Sequence, residues 1–270
     1  MKANIEDTEG NKKGKIDLPV QFKENVRPDI IKKAVHTIQS RKRQPYGSDK
    51  RAGKKHVTYW SKRRRAYRSL MGSSYPSSRT PRKIMMRRGR QLFGPGGGAP
   101  QTPGGRRAHP PKSDKDFEKD INKKERRKAI RSAISASMDT EEVCERHNLD
   151  EADLPLIVDD SFEEIEKTQE VKDVFENLGI ENAVEAAKER NIRPGKGKAR
   201  GRKYKRKIGP LVVVGEDRGV GKAVRNIPGV DFCLVRNLNA ELLARGAQPG
   251  RLVVWTESAI QKMDDEDLFR

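Results

Sequence analysis

The stretch that decides the fold is Leu211-Val-Val-Val214, four consecutive apolar residues and one of the longest strongly apolar runs in the chain. A strand with no alternating polar residues is typical of a parallel sheet that is covered on both faces. Comparable runs stand at Leu156-Ile-Val158, at 230–235 and at Leu252-Val-Val-Trp255. Because helical patterns separate these runs, we predict an α/β fold with a mainly parallel sheet and helices on both faces. Right-handed crossovers would give it doubly wound, Rossmann-like layers.

Helices are predicted wherever apolar residues recur at helical spacing. The first opens at Pro28-Asp29, after two short strands at 3–6 and 15–20. Ser113 and Asp116 form a capping-box pattern, which predicts that a long second helix starts there. The apolar stripes predicted for the first four helices are Ile30, Ile31, Ala34, Val35 and Ile38; Phe117, Ile121, Ile130, Ile134 and Met138; Val143 and Cys144; and Val171, Val174, Phe175 and Leu178. Shorter helices are predicted at 183–190, at 240–244 and from Glu257.

The positive charge of the chain is strongly segregated. Residues 41–112 contain 21 Lys and Arg and a single acid, Asp49, so this segment carries a charge of +20, equal to the formal charge of the whole chain. The remaining residues have 38 bases and 38 acids, and a second basic run at 193–207 has nine bases and no acid. Because solubility does not require charge of a single sign, this pattern indicates a polyanionic partner. Neither run has the apolar helical face that binding to acidic lipid needs.

The first basic run also lacks any regular period. Residues 94–111 alone contain six Gly and five Pro, and aromatic residues such as Tyr46, Trp60 and Phe93 are interleaved with the bases. A tract this polar is expected to order only on binding, and its rings can stack on unpaired bases. We therefore predict three parts: residues 1–43 begin a globular α/β domain, 44–112 form an extended basic loop, and 113–270 complete the domain with its second basic segment.

Other functional classes find little support in the sequence. The loop Gly215-Glu-Asp-Arg-Gly-Val-Gly-Lys222 follows a strand, but Glu216 stands where a phosphate loop needs Gly, and Ala223 stands where it needs Ser or Thr. The four histidines are scattered, and the two cysteines are better read as buried free thiols. The N-terminus has no signal-peptide pattern and no run could span a bilayer, so a soluble intracellular protein is predicted. No catalytic residue, cofactor, metal site or small-molecule substrate is predicted.

Six stretches of unusual composition follow one another along most of the chain. They are Arg106-Arg-Ala-His-Pro-Pro-Lys112, Asn122-Lys-Lys-Glu-Arg-Arg-Lys-Ala-Ile-Arg-Ser-Ala133, Lys167-Thr-Gln-Glu-Val171, Gly195-Lys-Gly-Lys-Ala-Arg-Gly-Arg-Lys-Tyr204, Arg225-Asn-Ile-Pro-Gly229 and Gly250-Arg-Leu-Val-Val-Trp-Thr-Glu-Ser-Ala259. In them the chain resembles the archaeal and eukaryotic type of the large-subunit ribosomal protein four family. The interior of the first basic run, 54–98, departs most from the family pattern.

The resemblance implies a structural protein of the cytoplasmic large ribosomal subunit. Its long loop would penetrate the large rRNA and help to form the peptide exit tunnel, and the protein would aid early subunit assembly. Its partners would be the rRNA, neighbouring large-subunit proteins and the nascent peptide, with no membrane. The predicted rRNA-binding residues are Arg41, Lys42, Arg43, Tyr46, Lys54, Lys55, Trp60, Lys62, Arg63, Arg64, Arg65, Arg68, Arg82, Lys83, Arg87, Arg88, Arg90, Arg106, Arg107, His109, Lys112, Lys196, Lys198, Arg200, Arg202, Lys203 and Tyr204.

Two other hypotheses follow from charge and fold class. An α/β enzyme with a basic recruitment arm would be stabilised by nucleotide. A chromatin-like protein that compacts DNA would prefer duplex DNA to rRNA in competition, although no helix-turn-helix, zinc finger or basic zipper is visible.

Overall fold

The six predicted strands occur in the predicted order, and the described residues contain six further short strands that were not predicted. The computed structural model describes residues 1–59, 80–88, 91–149 and 153–270. Its strands are β1 (Lys2–Glu6), β2 (Lys12–Asp17), β3 (Thr58–Tyr59), β4 (Arg82–Lys83), β5 (Met86–Arg88), β6 (Gln91–Phe93), β7 (Leu156–Val158), β8 (Asn191–Ile192), β9 (Tyr204–Lys205), β10 (Leu211–Val214), β11 (Asp231–Leu234) and β12 (Val253–Thr256).

The helices alternate with the strands of the second half of the chain. They are α1 (Pro28–Lys42), α2 (Lys123–Ala136), α3 (Thr140–His147), α4 (Thr168–Asn177), α5 (Glu181–Lys188), α6 (Val220–Arg225), α7 (Ala240–Leu243) and α8 (Glu257–Asp265). Short 3-10 turns lie at Val20–Lys23, Asp160–Glu164, Lys196–Arg200 and Val235–Asn237. Among the described residues, none of the helices has the length and hydropathy that a membrane span requires.

The chain divides into two units. The sheet unit comprises Met1–Lys42 and Glu118–Arg270, and the inserted unit comprises Arg43–Phe117. The central sheet lies in the sheet unit and has the order β11-β10-β12-β7-β1-β2. Every neighbouring pair in it is parallel except β1 and β2. The predicted mainly parallel α/β fold is therefore confirmed, whereas the Rossmann-like description stays a prediction.

The apolar strands are buried because each contributes to two cores. Leu211, Val213 and Trp255 face one core, which contains residues of α1, α2, α7 and α8. Val212 and Val254 face the other, which contains residues of α3, α4, α5 and α6. Fully burying a Val or Leu side chain stabilises the fold by ~1.5–3 kcal/mol, so a strand that buries every side chain contributes on both of its faces.

The second helix starts later than its sequence pattern predicts. It begins at Lys123 rather than near Ser113, and Asn122 precedes it in an extended conformation. Half of the residues of 113–122 are Ser, Asp or Asn, whose side chains compete with the helix for backbone hydrogen bonds. Phe117 therefore lies outside the helix, although the predicted stripe residues Ile130 and Ile134 are buried in it.

The cysteines are both free, as predicted, but only one is fully buried. Cys233 lies on β11 in the first core, and burial raises the pKa of its thiol to about 11. Cys144, on α3, is half-buried. The Cys233 thiol is therefore almost entirely protonated at neutral pH and is a poor nucleophile.

Candidate nucleic-acid interface

The second basic segment forms an ordered hairpin, which we call the basic hairpin (residues 191–207). Strands β8 and β9 pair antiparallel, and the N–H of Arg193 donates to the carbonyl of Lys203 at 2.8 Å. Gly195 and Gly201 adopt left-handed backbone angles, with φ of 80° and 77°, which only glycine adopts without strain. Between them runs the 3-10 turn Lys196–Arg200, closed by a hydrogen bond from the Arg202 N–H to Gly197.

The hairpin presents its cations to solvent without carboxylate partners. Lys196, Lys198, Arg200, Arg202 and Lys203 are all exposed. Among the described residues, none of the nine Lys and Arg of 193–207 lies within salt-bridge distance of an acid. Unpaired exposed cations on a fixed backbone are what a phosphate chain needs for register and orientation.

Apolar and aromatic surface lies among these cations. Tyr204 is opposite Ile192 in the hairpin register, and their exposed fractions are 47% and 61%. The ammonium of Lys203 lies 5.5 Å from the centre of the Tyr204 ring. An exposed ring beside a cation can stack on a base while the cation contacts its phosphate.

Two predicted residues at the end of α1 have a different environment. The Arg41 guanidinium contacts Asp120 at 3.1 Å, and the Lys42 ammonium contacts Glu241 at 2.5 Å. Both basic side chains are more than half exposed. Because each cation already has a carboxylate, an RNA phosphate would have to displace that partner.

In the inserted unit, glycines bring two segments into direct backbone contact. A Cβ at Gly47 would lie 2.5 Å from the backbone nitrogen of Ser113, and one at Gly53 would lie 2.6 Å from the Cα of Arg106. The N–H of Ser48 donates to Pro111 at 3.1 Å across the same junction. Residues 47–53 thus pack against 106–113, which is the contact that positions the basic side chains of both segments.

An aromatic stack lies beside this junction. The rings of Tyr46 and Phe117 are 5.8 Å apart and nearly parallel, at 12°. The Arg43 guanidinium lies 4.2 Å from the centre of the Phe117 ring, and the Lys115 ammonium lies 5.5 Å from it. Phe117 and Lys115 were not among the predicted site residues, because the capping-box pattern assigned Phe117 to a helix. The bases that precede Phe117 in the sequence were the feature that could have marked it as a candidate site residue.

The remaining predicted residues of the inserted unit differ in their partners. Lys55 contacts Asp49 at 2.9 Å, and the N–H of Arg51 together with Lys55 lowers the pKa of that carboxyl. Arg82 donates to the carbonyl of Gly94 at 2.9 Å, and Lys83 is half-buried. Lys54, Arg107, His109 and Lys112 are exposed, and Arg106 is half-buried.

Some of the predicted site residues lie in a short strand or outside the part of the chain that the structure describes. Arg87 and Arg88 lie in β5. The predicted residues outside the described part of the chain are Trp60, Lys62, Arg63, Arg64, Arg65, Arg68 and Arg90. The extended conformation predicted for 44–112 likewise stays a prediction. Within the described residues, the tract contains the antiparallel pairs β3–β4 and β5–β6.

The loop after β10 directs its backbone amides at one of its own acids. The carboxylate of Asp217 accepts the N–H of Gly219 at 3.3 Å and that of Gly221 at 3.1 Å. These amides, at the start of α6, are the groups that would cradle a phosphate. Since the loop's own acid occupies them, this geometry disfavours nucleotide binding at the loop. Helix α6 itself was not predicted. Among the described residues, no three His, Cys, Asp or Glu side chains converge on a metal-sized site.

Comparisons with known proteins give consistent matches over the full length. The family described as ribosomal protein L4/L1 matches residues 16–266. The large ribosomal subunit protein uL4 of Archaeoglobus fulgidus is 43% identical over 267 residues, 98% of this chain and 99% of that protein. The uL4 proteins of Nanoarchaeum equitans and Methanococcoides burtonii are 42% and 44% identical, covering 100% and 97% of both chains respectively. The matched region includes both basic segments.

Proposed function

Because the chain belongs to the ribosomal protein L4/L1 family, we propose that it is a structural constituent of the large ribosomal subunit in the cytoplasm, where it binds the large-subunit rRNA through the basic hairpin and the inserted unit. The relatives that match it over their whole length are named as large ribosomal subunit proteins. Its role is architectural rather than catalytic, and its other partners are neighbouring proteins of the subunit.

The observation that carries this proposal is the absence of carboxylate partners for the hairpin cations among the described residues. Elsewhere on the sheet unit, exposed bases such as Lys33 and Arg41 contact acids at 2.8 and 3.1 Å. A cation that is free before binding loses no ion pair when it meets a phosphate, and each phosphate neutralised releases counterions into bulk solution. The hairpin is therefore a better rRNA contact than the paired cations of the sheet unit.

The inserted unit supplies the second rRNA contact, and we assign to it the roles in the exit tunnel and in subunit assembly. We infer that residues 44–112 extend into the rRNA, help to form the wall of the peptide exit tunnel and contact the nascent peptide there. Binding by such a tract early in assembly would order the RNA around it, which is why we assign the protein a role in subunit assembly. We retain all the predicted residues as rRNA contacts. Arg41, Lys42 and Lys55 would contribute least, since their carboxylate partners compete with phosphate.

Co-sedimentation is the direct experiment. The full chain should remain with the large subunit through a moderate salt wash, whereas a variant lacking 44–111 should be released and should bind large rRNA more weakly. Loss of the wild-type chain in the wash, or equal affinity of the deletion variant, would contradict the proposal. Competition between rRNA and duplex DNA tests the DNA-compacting alternative, which predicts that DNA displaces the RNA. A rise in melting temperature with millimolar nucleotide would favour the enzyme alternative.

A further inference from the structure

Two adjoining cavities lie within the inserted unit. The first has a volume of 590 Å³ and the second of 750 Å³. Arg107, Pro110, Pro111, Lys112 and Asp114 take part in the walls of both, so the two spaces meet along one segment of chain. Each volume lies in the range of ~300–1,000 Å³ that holds small organic ligands in proteins.

The first cavity is basic. Five cations line it, and among the described residues none of them is in an ion pair with an acid: they are Lys50, Lys54, Arg106, Arg107 and Lys112. Of its two carboxylates, Asp49 is already held by Lys55 at 2.9 Å and by the N–H of Arg51 at 2.9 Å. The net positive lining, with two guanidinium forks, suits a phosphate group.

The second cavity is lined by flat rings. Tyr46, His109 and Phe117 contribute to its wall together with two prolines. Tyr46 is 55% exposed, so its ring is accessible even though it stacks on Phe117. Aromatic and imidazole rings recognise nucleobases by stacking, which requires that the face of the base be free.

We propose that the two cavities form one binding site for an unpaired ribonucleotide of the rRNA, with the phosphate in the basic cavity and the base against Tyr46. This inference rests on the proposed function and specifies that the inserted unit binds an unpaired nucleotide of the rRNA. An unpaired nucleotide fits because a duplex hides the faces of its bases. The carboxylate of Asp114, which lines both cavities, can accept the 2′-hydroxyl, the group by which proteins distinguish RNA from DNA.

The test compares the full chain with two substitutions at one exposed ring. Fluorescence anisotropy measures binding of a short labelled oligouridylate, an RNA duplex of equal length and the corresponding oligodeoxyuridylate. Tyr46→Leu should weaken binding of the single-stranded RNA about tenfold and leave duplex binding within about twofold, because only stacking is lost. Tyr46→Phe, which keeps the ring, should bind as the wild type does. The deoxy oligomer should bind more weakly than the RNA.

Photocrosslinking locates the contact independently of the hairpin. An oligomer containing bromouridine should crosslink to peptides that include Tyr46 or His109, and Tyr46→Leu should lose the first of these crosslinks. Free uridine monophosphate at millimolar concentration should not displace the oligomer. If it did, the site would be one for a free nucleotide and the proposal would be wrong.

The outcomes separate this inference from the proposed function. Wild-type binding to large rRNA, combined with equal affinities of Tyr46→Leu and Tyr46→Phe for the single strand, would overturn the nucleotide site alone. Crosslinks confined to 191–207 would do the same. Failure of the wild-type chain to bind large rRNA would instead overturn the proposed function.

Discussion

Replacing Arg251 with Met is expected to destabilise the sheet unit far more than replacing Arg245, although both arginines contact Asp231. Arg251 is fully buried at the edge of the sheet where β10, β11 and β12 begin. Its guanidinium donates to the carbonyls of Gly209 at 3.0 Å and Leu242 at 2.6 Å, and to the Asp231 carboxylate at 2.7 Å. Burial lowers the pKa of Arg251 to about 10, so the group remains charged at neutral pH.

The loss in free energy of unfolding follows from the acceptor groups that Arg251→Met would leave without a hydrogen-bond donor. Two carbonyls lose their hydrogen bonds, a buried one at Gly209 and a part-buried one at Leu242, at ~1–3 kcal/mol each. Asp231 is 25% exposed and keeps its contact with Arg245, so its carboxylate is not stranded. Met roughly preserves the volume, which keeps the cavity contribution small. The sum of about 2–6 kcal/mol spans the ~3–5 kcal/mol that breaking a buried ion pair from one side costs. Arg245 is 51% exposed, and an exposed pair contributes ~0–1 kcal/mol.

Urea unfolding measures this difference. Trp255 is fully buried in β12, and Trp60→Phe would leave it as the only tryptophan of the chain. Fluorescence in that background therefore reports on the sheet unit alone. Arg251→Met should lower the midpoint strongly without changing the slope, and Arg245→Met should lower it slightly. Free energies of unfolding for the two variants within about 1 kcal/mol of each other would show that the buried network contributes little.

Three further perturbations test the stability of the sheet unit, the packing of the inserted unit and the cations of the basic hairpin. Burial, with the nearby charges of Arg146 and Arg251, lowers the pKa of His147 to about 4, so the folded state resists protonation. The contribution of His147 to the free energy of unfolding should be constant above about pH 6.5 and fall by ~3 kcal/mol as the pH drops toward 4. Denaturation of the wild type and of His147→Gln at several pH values measures this, and the variant should not show the loss. Gly53→Ala, at a φ of 71° and without room for a Cβ, should weaken rRNA binding through the inserted unit, whereas Gly104→Ala, also at positive φ but in open space, should weaken it less. Neutralising four unpaired hairpin cations should make the slope of log K against log salt shallower by about 3, as measured by filter binding, whereas neutralising four paired ones should change it little. The unpaired set is K196Q, K198Q, R200Q and R202Q, and the paired set is K12Q, K33Q, K167Q and R236Q.

The sequence predicted the sheet well because its strands are unambiguous. β7 and β10 have the predicted bounds, since a run such as Leu211-Val-Val-Val214 has no polar residue to place on a solvent face. The start of α2 was predicted wrongly, because a capping-box spacing describes local hydrogen bonding and not what an aromatic residue such as Phe117 packs against. The helix α6 was missed because its N-terminus is capped by Asp217 from within a glycine-rich turn.

The candidate site was less predictable for a similar reason. Charge along the chain located the two basic segments, but it could not tell a paired cation from a free one. Pairing depends on contacts between residues far apart in sequence, such as Lys42 with Glu241, which are 199 positions apart. The stack of Tyr46 on Phe117 also joins the two ends of the inserted unit. Local pattern carries no information about such contacts.

The distinction between paired and free cations explains how a chain can be selective with charge distributed along its length. Outside 41–112 the chain has equal numbers of bases and acids, so its net charge alone would predict that this part of the chain has little affinity for RNA. Many acids of the sheet unit are paired with cations such as Lys33, Lys42 and Arg131, whereas among the described residues none is paired with a cation of the hairpin. The hairpin therefore gathers nine cations without ion-pair partners on one small surface. Under the proposed function, we expect an RNA that approaches this unit to be attracted to the hairpin surface, whose backbone can fix the orientation of the RNA.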